Sequence, residues 1–318
     1  MITHLYNNKN SDYLFLSSFL FMELYQLRYL IAAADMGNFT RAAEKLFVTQ
    51  PTLSQQIINL EQELGHKLFH RLGRKAVLTE AGTIFLERAR RILFEADNAT
   101  KELQDDPGLE RRIHVGAIPT VAPYLMPPLI ALCRERHPNL QISMREDFRP
   151  QLVRGVLEGE LDLAITAQPV INKQVAVETL MSEPLLLVVA HDHPLARQKL
   201  VTPKDLGGET FVLLGNASSV AEQVQNFCGD NHIEPRVGFR CAQVATVKSL
   251  VAIGAGVSIL PRVTRAREDT GTLVYIDLAN CSPTRDLVII RHLQRYQSRG
   301  VAQFLKLLHE SVQEHLLP

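Results

Sequence analysis

The chain has no net charge: its 34 basic and 34 acidic residues cancel. That balance argues against a strongly basic packaging protein and requires any nucleic-acid contact to be local. Cysteine is scarce, and Cys133, Cys228, Cys241 and Cys281 lie far apart with no CxxC pair. Neither a secreted disulfide scaffold nor a zinc site fits this spacing, whereas a reducing, cytoplasmic compartment does. Long apolar runs are missing as well. Leu14 to Phe21 is apolar but far shorter than the roughly 20 residues that span a bilayer. Lys9 is offset by Asp12 and no small-x-small cleavage site follows, so residues 1–21 read as an N-terminal extension, with Met22 as an alternative start. No membrane partner is expected. Catalytic signatures are also lacking: there is no G-x-S-x-G, P-loop or H-E-x-x-H, and the histidines are scattered. No catalytic residues, cofactor, metal or enzyme function are therefore expected.

What is present is a sequence long enough for several cores. Its 318 residues, 46% of them apolar, suggest two or three domains at roughly 100–200 residues each. From Glu23 to Met36, the residues Leu24, Leu27, Ile31 and Ala34 recur at helical spacing, and Gly37 ends that helix. A second stripe at Phe39, Ala42, Ala43 and Leu46 predicts a short helix capped by Thr40. After Phe47-Val48-Thr49-Gln50, a third stripe at Leu53, Ile57, Leu60 and Leu64 follows, with Pro51 in the first turn. Two helices joined this tightly predict a helix-turn-helix. The face of the third helix away from its stripe carries Gln50, Thr52, Ser54, Gln55 and Asn59, neutral hydrogen-bonding groups of the kind that read base edges in a major groove.

Gly65 to Thr79 reads as two short strands around a Gly-Arg-Lys turn, and Lys67, Arg71, Arg74 and Lys75 make that wing locally positive, suited to phosphates. Residues 22–79 form the expected DNA-binding domain. The next helix runs from Thr79 to about Gln104. In it Phe85, Ala89, Ile92, Ala96, Ala99 and Leu103 are spaced 4, 3, 4, 3, 4, a heptad seam suited to pairing with a second copy. This linker, residues 80–107, ends at the hinge-like Asp105-Asp106-Pro107-Gly108.

From residue 108 the pattern becomes α/β. Strands at Ile113–Ile118, Leu140–Arg145 and Leu161–Thr166 alternate with helices at Val121–His137 and Gln151–Glu158, which predicts a parallel sheet. A second run starts near Pro184 and has strands at Phe211–Leu214, Val237–Arg240 and Val257–Leu260, with helices at Val220–Asn231 and Thr246–Ile253. Strands at Leu273–Leu278 and Leu287–Arg291 and a helix from Gly300 to His315 close the chain. Two lobes are expected, about 111–183 plus 286–318, and 184–285, with a cleft between them. Ligands collect beyond strand C-termini, where helix starts expose N–H groups. That rule selects Pro119, Thr120 and Val121 after the first strand, Thr166 and Ala167 after the third, and Asn216, Ser218 and Ser219 from the second lobe. A small anion or polar metabolite suits them, and helix capping is their alternative role.

From about Met22 onward these residues resemble the LysR-type transcriptional regulators, above all Phe39-Thr40-Arg41-Ala42-Ala43 and Gln50-Pro51-Thr52-Leu53-Ser54-Gln55-Gln56-Ile57. The resemblance implies a winged helix-turn-helix, a dimerising linker helix and a two-lobed effector domain like periplasmic binding proteins. It implies DNA contacts from Thr40, Thr49, Gln50, Pro51, Thr52, Ser54, Gln55 and Asn59, with Arg71 and Arg74 at the minor groove. The implied partners are double-stranded DNA, a small-molecule inducer between the lobes, and further copies of the chain in dimers or tetramers. RNA polymerase joins them if the protein is an activator. Gly116 to Pro127, Asn226-Phe227-Cys228 and Val251 to Val257 look especially like OxyR-like, peroxide-sensing members of the family. The resemblance aligns Ser219 with their peroxidatic cysteine, nine residues before Cys228. A serine forms no sulfenic acid, so the two-cysteine switch is unavailable at these positions. Two rival readings follow: a redox regulator that uses Cys228 alone, and an α/β solute-binding protein or enzyme with an accessory helical domain.

Overall fold

The computed structural model describes residues 22–72, 75–103, 111–198, 200–279 and 283–315. The extension at 1–21, the hinge at 105–108, Arg74 and Cys281 lie outside them, and the side chain of Arg71 is likewise not described. The chain divides into two compact units, residues 1–100 and 101–318. Among the described residues no helix is long and apolar enough to cross a membrane.

The N-terminal unit begins with α1 (Leu24–Met36), α2 (Phe39–Lys45) and α3 (Gln50–Leu64). Leu27, Leu30 and Ala33 of α1 meet Phe39, Ala42 and Ala43 of α2 and Leu53, Ile57 and Leu60 of α3 in one core. Gly37 and Gly65 end α1 and α3 at φ 59° and 69°, backbone conformations that favour glycine. The α2 cap is not Thr40. Asn38 stands one residue before the helix with extended backbone, and its side chain accepts from the Thr40 and Arg41 amides; Thr40, already inside the first turn, has no free end to cap.

The wing is an antiparallel pair, β1 (Phe69–Leu72) and β2 (Lys75–Leu78), pinned to the turn after α1 by the Ala76 amide donating to the Gly37 carbonyl at 2.9 Å. Glu61 of α3, only 2% exposed, accepts from the Leu68 and Phe69 amides at 2.9 and 3.2 Å and from Lys67 at 2.9 Å. Lys67 is thus paired with a carboxylate that belongs to the preceding helix, so the wing carries less free positive charge than its own residues suggest. The long helix α4 (Glu80–Leu103) follows. The seam does not face outward along its whole length: Ala89 is buried in the N-terminal core, with Phe85, Leu86 and Leu93 packed against it. A free stripe remains at Ile92, Ala99 and Leu103, the last of them 87% exposed.

In the second unit, β3 (Arg111–Ala117), α5 (Ala122–Arg136), β4 (Leu140–Glu146), α6 (Arg149–Leu157) and β5 (Leu163–Ala167) alternate strand and helix around the parallel pairs β3–β4 and β3–β5. Gly116 lets α6 approach this sheet: a Cβ there would lie 2.6 Å from Leu152 Cδ2 and 3.0 Å from the Ala164 Cβ, closer than packed carbons tolerate. The sheet is mixed, not wholly parallel. β11 (Thr284–His292) pairs antiparallel with β5, and β6 (Val175–Ala190) pairs antiparallel with β11; β6 carries the chain out to the second lobe and β11 brings it back.

β6 is the main departure from the sequence reading, which starts a strand only near Pro184. Its 16 residues serve both lobes, pairing first with β11 and then, from Leu185, with β9 (Ser258–Pro261) and β10 (Leu273–Ile276). The second lobe adds the parallel pair β7 (Thr210–Leu214) and β8 (Arg236–Cys241), with helices α7 (Ser219–Asp230) and α8 (Val244–Ala252). The closing helix α9 (Arg299–His315) returns to the first lobe, where Phe304 and Leu308 are fully buried. Two separate apolar cores result, one built from Ile113 to Met181 and Leu287 to Val312, the other from Leu185 to Leu278.

Candidate functional site

Two regions gather the polar groups that the sequence singles out. The first is the outward face of α3. Thr49 precedes the helix, accepts from the Thr52 amide at 3.3 Å and shares a hydroxyl–hydroxyl bond with Thr52 at 2.7 Å. Gln50, Pro51, Thr52 and Gln55 are exposed, and Ser54 and Asn59 are half-buried beside them. The Gln55 amide donates to Asn59 at 3.0 Å, one helical turn on. Gln56, not singled out from sequence, turns inward and accepts from Tyr25 and Gln26, so it ties α3 to α1. Thr40 lies exposed on α2.

The second region is the cleft between the lobes of the second unit. There the start of α6, next to the end of β5, meets the first turn of α7 from the other lobe. Thr120 is not a free hydroxyl. It is buried and accepts from Arg285 Nη1 at 2.8 Å, and the same guanidinium donates through Nε to Glu183 at 2.8 Å. Arg285 and Glu183 stand opposite each other where β11 and β6 pass between the lobes, and the Val263 amide of the second lobe donates to the other Glu183 oxygen at 2.9 Å. Burial pulls the Arg285 pKa down while the adjacent carboxylate opposes that shift. Nothing in the local sequence connects residues 102 apart, so the sequence reading missed both.

Val121 and Ala167 are fully buried in the first core, which leaves only their backbone for ligand contact. Pro119 is half-buried. Ser218 caps α7 by accepting from the Val220 amide, and exposed Asn216 accepts from Arg240 at 2.9 Å. Both therefore have the capping or structural partners that were the alternative to ligand binding. The Thr166 hydroxyl is buried without a partner, and Ser219 opens α7.

Two further charged groups, Arg149 and Glu222, complete the cleft. Arg149 at the start of α6 donates to the Gln168 carbonyl at 3.2 Å and to Glu222 of α7 at 2.8 Å, so this ion pair crosses from lobe to lobe. Deeper on the second-lobe side, Lys248 pairs with Asp269 at 2.7 Å and with the Thr264 carbonyl, and its ammonium lies 5.9 Å from the ring centres of both Tyr124 and Tyr275. Burial pushes Asp269 up, but hydrogen bonds from Lys248, Tyr275 and the Ala266 amide hold it below its ordinary value.

Cys228 sits in the second core, 2% exposed, and burial pushes its thiol up. Reactive thiols are partly exposed and held low by neighbouring cations or helix starts; Cys228 has the opposite surroundings. Cys133, in the first core, is pushed up to about 11 by burial.

Comparison with known proteins gives a uniform result. Residues 24–83 match the family described as bacterial regulatory helix-turn-helix protein, lysR family, and residues 107–313 match the LysR substrate binding domain. The hydrogen peroxide-inducible genes activator of Pectobacterium carotovorum is 34% identical over 85% of this chain and 90% of its own length. The DNA-binding transcriptional dual regulator OxyR of Escherichia coli is also 34% identical, over 85% and 89%. Among solved structures, a full-length OxyR variant from Pseudomonas aeruginosa superposes with TM-score 0.72 at 29% identity, covering 92% of this chain and 95% of that one. Full-length CbnR complexed with its target DNA is similar at TM-score 0.60 and 25% identity, covering 91% and 100%.

Proposed function

The chain belongs to the LysR family of DNA-binding transcriptional regulators, and from that premise we propose that α3 reads its operator and that a small ligand between the lobes sets its output. The observation that carries the DNA-reading half is the exposed, neutral face of α3. Gln50, Thr52 and Gln55 offer amides and a hydroxyl at the helix start, where a recognition helix meets base edges. Ser54 and Asn59 extend that face, and Thr40, Thr49 and Pro51 lie next to the backbone phosphates. Arg71 and Arg74 of the wing supply phosphate or minor-groove contacts.

The protein acts in the cytoplasm and catalyses no reaction. A second copy covers Ile92, Ala99 and Leu103 of α4, and pairs of such dimers make the tetramer. The cleft ligand meets Pro119, Thr166 and Ser219 and changes how the copies are arranged on DNA; RNA polymerase is the further partner where the outcome is activation. A thiol switch at Cys228 is disfavoured, because its burial raises the thiol pKa and removes it from solvent.

Footprinting on genomic fragments over a range of salt tests the reading. It predicts protected, sequence-selective sites whose affinity falls steeply as salt rises, in proportion to the phosphates contacted. Absence of any selective site, at low salt and with the full chain, refutes it.

A further inference from the structure

Arg149 stands where a helix does not favour it. As the first residue of α6 it places a cation at the positive end of the helix dipole, so its contribution is not to helix stability. Its guanidinium is instead held in one orientation, with Nη1 on the carbonyls of Ala167 and Gln168 at 3.5 and 3.2 Å. Nη2 faces the opposite lobe and reaches Glu222. That carboxylate belongs to a side chain still 45% exposed, so its attachment is a partly solvated pair that holds a flexible side chain in one geometry and gains little by doing so.

Two hydroxyl groups stand on the elements that make this contact, Thr166 on β5 and Ser219 on α7. Thr166 is fully buried with its hydroxyl unpartnered. By strand alternation it shares the face of Ala164, and a Cβ built on Gly116 would touch both Ala164 and Leu152 of α6, so Thr166 is on the face of the sheet that α6 covers. Ser219, three residues before Glu222 on the same helix, has a hydroxyl that no hydrogen bond holds among the described residues. A fixed guanidinium holding a half-exposed carboxylate, with unengaged hydroxyls on the adjoining β5 and α7, has the makings of an anion subsite already filled from within the chain.

We propose that Glu222 stands in for the carboxylate of the effector. The ligand is a small organic acid whose carboxylate takes Nη2 of Arg149 together with the Ser219 and Thr166 hydroxyls, displaces Glu222 and so releases the ion pair that ties one lobe to the other. This rests on the reading of the cleft as the ligand site and adds the class of the ligand and the link between its arrival and lobe movement. A planar guanidinium with one edge fixed by backbone carbonyls presents the remaining edge to a carboxylate with little loss of freedom. Because the internal carboxylate competes, the ligand's apparent affinity is lowered by the fraction of molecules in which Arg149 is free.

Sodium acetate, the fragment common to the class, is the probe, titrated into the full-length chain against sodium chloride of equal ionic strength with thermal stability as the readout. Glu222→Gln lowers the acetate concentration at half-maximal effect by about tenfold, as expected when a competitor that occupies the site most of the time is removed. Arg149→Gln abolishes the response. A Glu222→Gln chain that responds to acetate no better than the parent overturns the proposal. So does stabilisation by L-serine that Glu222→Gln removes, since Glu222 would then be an ammonium ligand. DNA footprints of the same variants separate the two levels of inference: footprints altered without an acetate response keep the cleft as the control site and overturn the carboxylate ligand alone. Unchanged footprints with no acetate response overturn both.

Discussion

The outward face of α3 and the cleft of the second unit are both lined with hydrogen-bonding side chains, yet they hold them in opposite ways. On α3 the groups are neutral and satisfy one another over a single turn, Thr49 with Thr52 and Gln55 with Asn59. In the second unit three cations are each held by a carboxylate: Arg285 by Glu183, Arg149 by Glu222 and Lys248 by Asp269. Exposed local bonds exchange for base edges at little cost, because water competes for them already. Pairs that join residues 73 and 102 positions apart do not exchange without moving the elements that carry them. The proposed function assigns reading to the first surface and switching to the second.

The largest effect is expected where the cleft's arrangement is broken at its buried end. Glu183→Ala leaves the Arg285 guanidinium without its counter-charge and should destabilise the second unit by about 3–5 kcal/mol, measured by urea unfolding. Replacing both partners by apolar residues of similar volume should cost much less. Equal losses from the single and double replacements would mean that packing, not the uncompensated charge, holds the strands at the crossing. Next in size is Glu61, a buried carboxylate of the DNA-binding unit. Glu61→Ala strands the Leu68 and Phe69 amides and should cost about 2–3 kcal/mol, with faster amide exchange confined to the wing. Exchange that quickens evenly across α1 to α3 would place Glu61 in the helical core instead.

Glu61 also marks the limit of what could be read without coordinates. The apolar stripes of α1, α2 and α3 were legible because a 3.6-residue period needs only local sequence, and the wing because its turn residues punctuate it. Glu61, next to Leu60 in a helix of ordinary polar composition, gives no sign that it turns inward to hold the next two strands. Val175 to Glu183 was missed for a related reason. Its polar residues make it a half-exposed strand, and the continuous apolar run after Pro184 drew the boundary there. In the cleft, rules about strand ends selected Thr120, Thr166 and Ser219, but not the charged residues Arg149, Glu183 and Arg285. Arg149 meets Glu222, and Arg285 meets Thr120, only through folding, so spacing carries no trace of either.

The comparison is sharpened further at the outward face of α3. Gln55→Ala should lose about 1–3 kcal/mol of selectivity for each bidentate contact removed, whereas Lys75→Ala on the wing should weaken all sequences alike and flatten the salt dependence. Competition binding against scrambled operator measures both. If Gln55→Ala weakens scrambled and operator DNA equally, the α3 face positions the protein and does not read bases.

The smallest effect concerns Phe47, in the tight turn between α2 and α3. Its φ is 54° and its side chain is 96% exposed. Left-handed backbone costs an L-residue with a Cβ roughly 1–2 kcal/mol, and asparagine bears it better because its short amide bonds locally. An exposed ring returns nothing by burial within this unit. Phe47→Asn should therefore raise the stability of the DNA-binding unit by about 0.5–1 kcal/mol, seen as a higher urea midpoint at unchanged slope. The turn must keep its conformation for this gain to appear, because the Val48 amide returns to the Ala43 carbonyl at 3.0 Å only if the chain reverses at Phe47. A lower midpoint would show that the ring packs in solution and that the turn is held by burial, as the cleft is held by its charges.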